Sequence, residues 1–323
     1  MMNTRNFFII LISITWSMIS FAQSNLLNAK FPEEIGMKSA DQLIADNDKP
    51  LEYGFVSDRD ILMGKMTWEI IDLSERINFP LYFPVDTANI GPDRRSLYDV
   101  LTKAIRNGDI TDVYSDSYFN TKKTYKDIKA SMSYFDLTDP GKEQINTLGL
   151  TEKYKYLLES NVQLGQDDRD NLIKDGLDPQ YIPKTDITAQ DVSQYKIKGY
   201  WYFDKRQSEL KYRLLGICPV TPDVFTMNSD EKDYIELFWV FFPAARDILN
   251  EAKSFNDRNS AMSISFDQIL NSRRFNGVIY QEENVYGDRS IASYMKDNAQ
   301  NQLLESERIK EKIRNFEQDM WNY

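Results

Sequence analysis

No histidine occurs among the 323 residues, and Cys218 is the one cysteine. Ser-His-Asp and Cys-His catalytic arrangements need an imidazole base, so they are excluded, as are His-ligated zinc sites. One thiol can neither close an intrachain disulfide nor build a four-cysteine metal site. Carboxylates, lysines and tyrosines remain as chemistry-bearing groups. The run Asp167-Asp168-Arg169-Asp170 followed by Asp175-Gly176 has the composition of a calcium loop but lacks its ligand spacing and its bidentate Glu, so it reads as a solvated loop. Asp230, Glu231 and Asp233 read as a charged turn. Fifty acids make any single carboxylate pair uninformative for glycoside hydrolysis. Trp68, Trp201 and Trp239 have the chemistry to line a sugar cleft, but each lies in an apolar β-like stretch that favours core packing. Cys218, in Leu214-Leu-Gly-Ile-Cys-Pro219, has no adjacent base to lower its pKa and reads as a small buried hydrophobe. No phosphate loop and no GxGxxG is present. No catalytic, cofactor-binding or metal residue is assigned.

The elements behind these residues are those of a globular protein, 41% hydrophobic and 13% aromatic. A net charge of −11 with scattered Lys and Arg argues against a nucleic-acid partner. Residues 1–22 read as a secretory signal peptide. Arg5 supplies the positive start, an apolar run begins at Phe7, and Ser20-Phe21-Ala22 places small residues for cleavage before Gln23. No cysteine follows that run, so lipidation there is excluded, and no later segment is apolar enough to span a membrane. Residues 23–50 read as a polar leader.

The body reads as α+β, or layered α/β: two related units, a β-hairpin opening the second, and a long C-terminal helix. The first unit, 51–160, has a strand over Lys65–Leu73 and an ordered turn or edge strand at Asn78–Pro84. A helix follows, with Leu97, Val100, Leu101, Ala104 and Ile105 on one face, closed by Asn107-Gly108. Residues 161–187, rich in Asp, Gly and Pro, read as a linker. The second unit, 188–289, opens with a capping box at Thr188–Asp191. A hairpin then runs through Lys196–Asp204 and Leu210–Val220, followed by a buried strand over Ile235–Phe242 and a helix from Ala244. A further helix starts at Ser265 and is expected to stop at Asn276-Gly277. Shifting the chain by 169 residues lays Ser96–Ile110 over Ser265–Ile279 with five identities in 15 positions, which suggests an internal repeat.

From 290 to 321 the chain has neither Pro nor Gly. Ile309, Ile313, Phe316 and Met320 recur at i, i+4, i+7 and i+11 and form one apolar stripe. Something must cover it: either its own domain or a partner surface.

Several stretches together resemble the GldN (PorN) family of gliding motility proteins. They are RDILMGKMTWEIIDLSERINFPLYFP (59–84), RSLYDVLTKAIRNG (95–108), YKIKGYWYFDK (195–205), RLLGICP (213–219) and FWVFFPAARD (238–247). The paralogue GldO shares the pattern. The resemblance implies a non-enzymatic periplasmic component of the type IX secretion system of Bacteroidetes. It would assemble with the lipoprotein GldK (PorK) into a homo- and hetero-oligomeric ring under the outer membrane, linked to the motor proteins GldL and GldM. It implies no cofactor and no membrane span. A periplasmic ligand-binding module and a carboxylate-based hydrolase are the alternatives.

Overall fold

The computed structural model describes residues 31, 49–87, 90, 94–159, 164–223, 226, 232–256, 264–296 and 298–321. The expected signal peptide lies outside the described residues, as does the expected leader apart from 31, 49 and 50. Strands are numbered β1 (Ile61–Asp72), β2 (Val113–Tyr114), β3 (Ser133–Phe135), β4 (Lys184–Asp186), β5 (Gln194–Asp204), β6 (Glu209–Pro222), β7 (Tyr234–Glu236), β8 (Trp239–Phe241), β9 (Lys253–Ser254), β10 (Ile264–Ser265) and β11 (Val278–Glu282). Helices are α1 (Phe79–Tyr82), α2 (Leu97–Asn107), α3 (Tyr125–Ser131), α4 (Asp139–Thr147), α5 (Lys155–Glu159), α6 (Gln166–Lys174), α7 (Phe242–Glu251), α8 (Phe266–Asn271), α9 (Ile291–Tyr294) and α10 (Ala299–Trp321). The fold is α+β.

A single antiparallel sheet organises the chain, in the order β11-β1-β5-β6-β8-β2 with β7 also on β6. The expected hairpin is its centre: Gln194 to Asp204 pair with Val220 to Glu209. Strand β1, from the expected first unit, lies between β5 and β11 of the expected second one. Both halves of the sequence therefore contribute to one sheet.

Side chains alternate across strands, and the registers sort them onto two faces. One face carries Met63, Glu69, Ile71, Tyr195, Ile197, Trp201, Phe203, Leu214 and Ile217. Helices α2, α7 and α8 bury their apolar sides on part of it, through Leu97, Leu101, Phe242, Leu249, Phe266 and Leu270. Helices α9 and α10 cover the rest through Ile291, Ile309 and Ile313. Each large side chain buried this way contributes about 1.5–3 kcal/mol.

The two copies of the suspected repeat differ in length. Ser96 accepts from the Asp99 amide and Ser265 from the Gln268 amide, so both helices start on the same cap. Helix α2 runs to Asn107 and closes on Gly108 at φ 84°. Helix α8 stops at Asn271, five residues short of the expected Asn276-Gly277. The expected strand over Ile235–Phe242 is broken into β7 and β8, and Phe242 opens α7 with Pro243 in its first turn. At Asn78–Pro84 the chain makes a short helix, α1, rather than an edge strand.

Residues 133–186 form a helical insert with its own core, built on Phe135, Ile145, Tyr154, Leu157, Leu164, Leu172, Leu177 and Ile182. Strands β3 and β4 close its base, and the Ile187 amide donates to the Met132 carbonyl at 2.8 Å. Where a linker was expected at 161–187, α6 and β4 are present, because Leu164, Leu172 and Leu177 are apolar enough to be buried between the polar residues.

Gly199 is a packing requirement of the hairpin. A Cβ there would stand 2.0 Å from the Tyr212 hydroxyl oxygen and 2.1 Å from its Cζ. The Tyr212 ring in turn packs at a tilt against Trp201, ring centroids 4.9 Å apart, so it has little room to yield. Gly199→Ala is expected to destabilise the chain by about 1–3 kcal/mol by overpacking, read as a lower urea midpoint with an unchanged slope. An unchanged midpoint would mean that Tyr212 moves aside freely.

Candidate functional site

The four residues of the apolar stripe, for which both the chain's own domain and a partner surface were expected coverings, turn inward at their N-terminal end. Ile309 and Ile313 are 3% and 6% exposed and pack with Ile279 and Ile291. Phe316 meets the Phe203 ring edge-on at 5.9 Å, and Met320 is half-buried. The chain's own sheet covers Ile309 and Ile313. Sequence periodicity identifies an apolar stripe but not the long-range surface it meets. The Ser306 hydroxyl accepts from the Ile279 amide at 2.9 Å and fixes α10 against β11.

Beside α10 lies a buried ion pair. Glu69, 1% exposed, accepts from both terminal nitrogens of Arg273 at 3.1 and 2.7 Å. The guanidinium stacks over Tyr212 at 4.2 Å, Trp201 at 4.9 Å and Phe275 at 5.2 Å. Burial opposes the Arg273 charge, but Glu69 and Tyr212 hold its pKa above the ordinary value. Gly277 makes room for the carboxylate, since a Cβ there would sit 2.9 Å from a Glu69 oxygen. The Asn276-Gly277 pair, read from sequence as a helix stop, serves this contact. Buried Asn78 locks the same turn: its side-chain oxygen accepts from the Asn276 amide, and its nitrogen donates to the Asp72 and Asn276 carbonyls.

The opposite face of the sheet is different. Its cluster joins Trp68, Cys218 and Trp239 to Met66, Tyr114, Phe119 and Tyr280, and no helical side chain takes part among the described residues. Lys198, 7% exposed, sits over Tyr118 at 4.6 Å, Trp68 at 4.9 Å and Phe119 at 5.4 Å and donates to the Ser117 carbonyl. Burial lowers its pKa, opposed by Asp288, Asp116 and Glu283. Lys196 bonds Glu236 at 2.7 Å and lies over Tyr280, and Glu236 also accepts from the Trp239 indole. Trp68 and Trp239 are core residues, not a sugar cleft, and the Trp201 ring is occupied by Arg273. Cys218 is fully buried, which pushes its thiol pKa up and leaves it a poor nucleophile.

At the hairpin end the segment 51–56 is strapped to the sheet. The Tyr53 ring lies 4.1 Å from Arg246 and 4.6 Å from Arg213. Those arginines donate to the Leu51 and Gly54 carbonyls, and the Tyr53 hydroxyl donates to Asn271. Sequence reading missed this strap, because residues 51–56 show no helical or strand periodicity and the arginines that hold Tyr53 lie more than 150 positions away.

Asp167, Asp168 and Asp170 lie in α6 rather than in a loop. Asp168 accepts from the Tyr156 hydroxyl, and Asp175 holds Lys153 and the Tyr154 hydroxyl. Among the described residues, no group of three or more Cys, Asp or Glu is placed to hold a metal ion. No described helix is long and apolar enough to cross a membrane. Asp230 and Glu231 lie outside the described residues.

The family model described as gliding motility associated protein GldN matches residues 56–322. The chain belongs to the GldN family. The matched span takes in every strand of the sheet, the insert and α10, and it begins just after Tyr53 of the strap. A comparison with curated proteins gives no match. In this GldN-family chain the prominent features are packing devices and surfaces.

Two substitutions separate those devices. Glu69→Gln leaves Arg273 charged and without its carboxylate, and is expected to cost about 3–5 kcal/mol. Ile309→Ala, opening a cavity between α10 and β11, is expected to cost about 2–4 kcal/mol. Both are read from denaturant midpoints of the isolated chain. If Ile309→Ala left stability unchanged, α10 would not belong to this core.

Proposed function

We propose that the chain is a non-enzymatic, exported structural subunit of the type IX secretion and gliding motility machinery. In this reading it works in the periplasm and assembles with the lipoprotein GldK (PorK) into a ring beneath the outer membrane, coupled to GldL and GldM. The observation that carries the reading is the GldN family match over residues 56–322. Physical support comes from the residues themselves. The one thiol is buried, Lys198 is enclosed by three aromatic rings, and the buried Glu69 is committed to Arg273. These are groups held in place by packing, as a subunit that transmits contacts requires.

The test is co-expression with the lipoprotein, followed by affinity purification from detergent-solubilised membranes and size-exclusion chromatography. Co-elution in a many-subunit species, together with loss of secretion and gliding on deletion of the gene, is the expected result. A chain that never co-purifies with the lipoprotein, and whose deletion leaves secretion intact, overturns the reading.

A further inference from the structure

A cavity of about 240 Å³ lies between the strap and the turn end of the hairpin. Trp201 and Phe203 point at the helices, so Tyr202 and Asp204 face the other way. The register adds their cross-strand neighbours to that face: Asp204 pairs with Glu209, Tyr202 with Lys211 and Tyr200 with Arg213. Tyr202, Asp204, Lys211 and Arg213 line the cavity from the sheet, and residues 52–56 line it from the strap. Pockets for drug-sized molecules run to about 300–1,000 Å³, so this one admits only something smaller.

Its polar groups are incompletely used by the protein. Asp204 is 5% exposed. Its Oδ1 accepts from the Arg206 amide at 2.9 Å, whereas Oδ2 has only the Lys211 ammonium at 3.9 Å, beyond hydrogen-bond reach. The other carboxylate beside Lys211, Glu209, stands at 3.8 Å, so the ammonium donors are not taken by either acid. Arg213 donates to the Gly54 carbonyl at 3.1 Å and lies over the rings of Tyr53 and Tyr202. Stacking uses the faces of the guanidinium and leaves its remaining edge donors open. The charges in the lining balance, Glu52 and Asp204 against Lys211 and Arg213. Arg206, outside the lining, stands 3.8 Å from Asp60. A lone anion here meets Asp204 and Glu52, and a lone cation meets Lys211 and Arg213. A small molecule with both charges meets a complement at each end.

We propose that the cavity binds a small zwitterion, a free amino acid, with its carboxylate on Lys211 and Arg213 and its ammonium on Oδ2 of Asp204. The carboxylate completes the donors that stacking leaves open on Arg213, and charge-assisted bonds of this kind are the strong ones. The ammonium fills the vacant acceptor of a buried acid, the group for which a missing partner costs most. Because Arg213 also holds the Gly54 carbonyl, an occupied site ties the strap to the hairpin. The inference goes beyond the structural role proposed above and stands or falls without it.

The experiment is isothermal titration calorimetry on the purified chain. Glycine, L-alanine, L-glutamate and γ-aminobutyrate serve as probes that vary size and charge separation, and acetate and methylammonium as controls that carry one charge each. The expected result is saturable one-to-one binding of at least one amino acid, about tenfold or more tighter than either control. Asp204→Asn and Lys211→Gln should each weaken that binding about tenfold or more while circular dichroism stays unchanged. Should the buried Asp204→Asn fail to fold, Lys211→Gln carries the test, because its side chain is only partly buried. A chain that binds none of the four amino acids overturns the proposal. So does acetate or methylammonium binding as tightly as the best amino acid, which would mark a site for one charge alone, or a folded Lys211→Gln that binds unchanged. Co-purification with the lipoprotein succeeds or fails independently of these outcomes.

Discussion

The Glu69–Arg273 ion pair is the contact on which the rest of the packing depends. It sits on the helix-covered face of the sheet, between the region under α2, α7 and α8 and the region under α9 and α10. Its carboxylate comes from the central part of β1 and its guanidinium from the turn after α8, 204 positions later in the chain. Burying the two charges is costly, and the bidentate geometry with three aromatic rings around the guanidinium offsets that cost. Much nearby detail follows from it. Arg273 takes a left-handed backbone, φ 51°, which ends α8 early. Gly277 carries no Cβ because the carboxylate lies against it. The β1–β11 register slips between Trp68 and Glu69, with the extra residue, Tyr280, on β11.

Local elements were legible in the sequence wherever local physics decides them. Alternation and a polar four-residue turn identify the β5–β6 hairpin. Apolar spacing and Asn107-Gly108 identify the buried face and the end of α2. Legibility ended where a distant partner decides. Asn276-Gly277 looks like a helix stop, but Asn78 and Glu69 hold it from the other end of the chain. Glu236 inside an apolar run looks tolerable in one strand, but it must reach both Lys196 and Trp239, and the run breaks into β7 and β8. The stripe on α10 was visible, but the sheet it covers is assembled from residues 61–72, 194–222 and 278–282, and no periodicity reports that assembly. In the insert, acids dominate the count and conceal the leucines that make its core.

The two faces of the sheet divide the work. One is covered by helices and holds the fold together. The other is shielded by aromatic rings and a short loop, with Lys198 enclosed among Tyr118, Trp68 and Phe119. Membership of the GldN family identifies the chain as gliding motility associated. The hairpin turn and the insert both lie outside the Glu69–Arg273 neighbourhood. Changes there leave the central packing untouched.

Their placement at the two ends of β5 has a mechanical consequence. A pull exerted between the insert and the hairpin turn runs along the strand axis. Strand β5 is bonded on both sides, to β1 and to β6, with 11 residue pairs along each. Force in that direction loads all of those bonds together in shear. Force across the strands would open them one at a time, like a zip. The strand that connects the two extremities is thus the most doubly braced element of the sheet, and it is oriented to bear tension lengthwise.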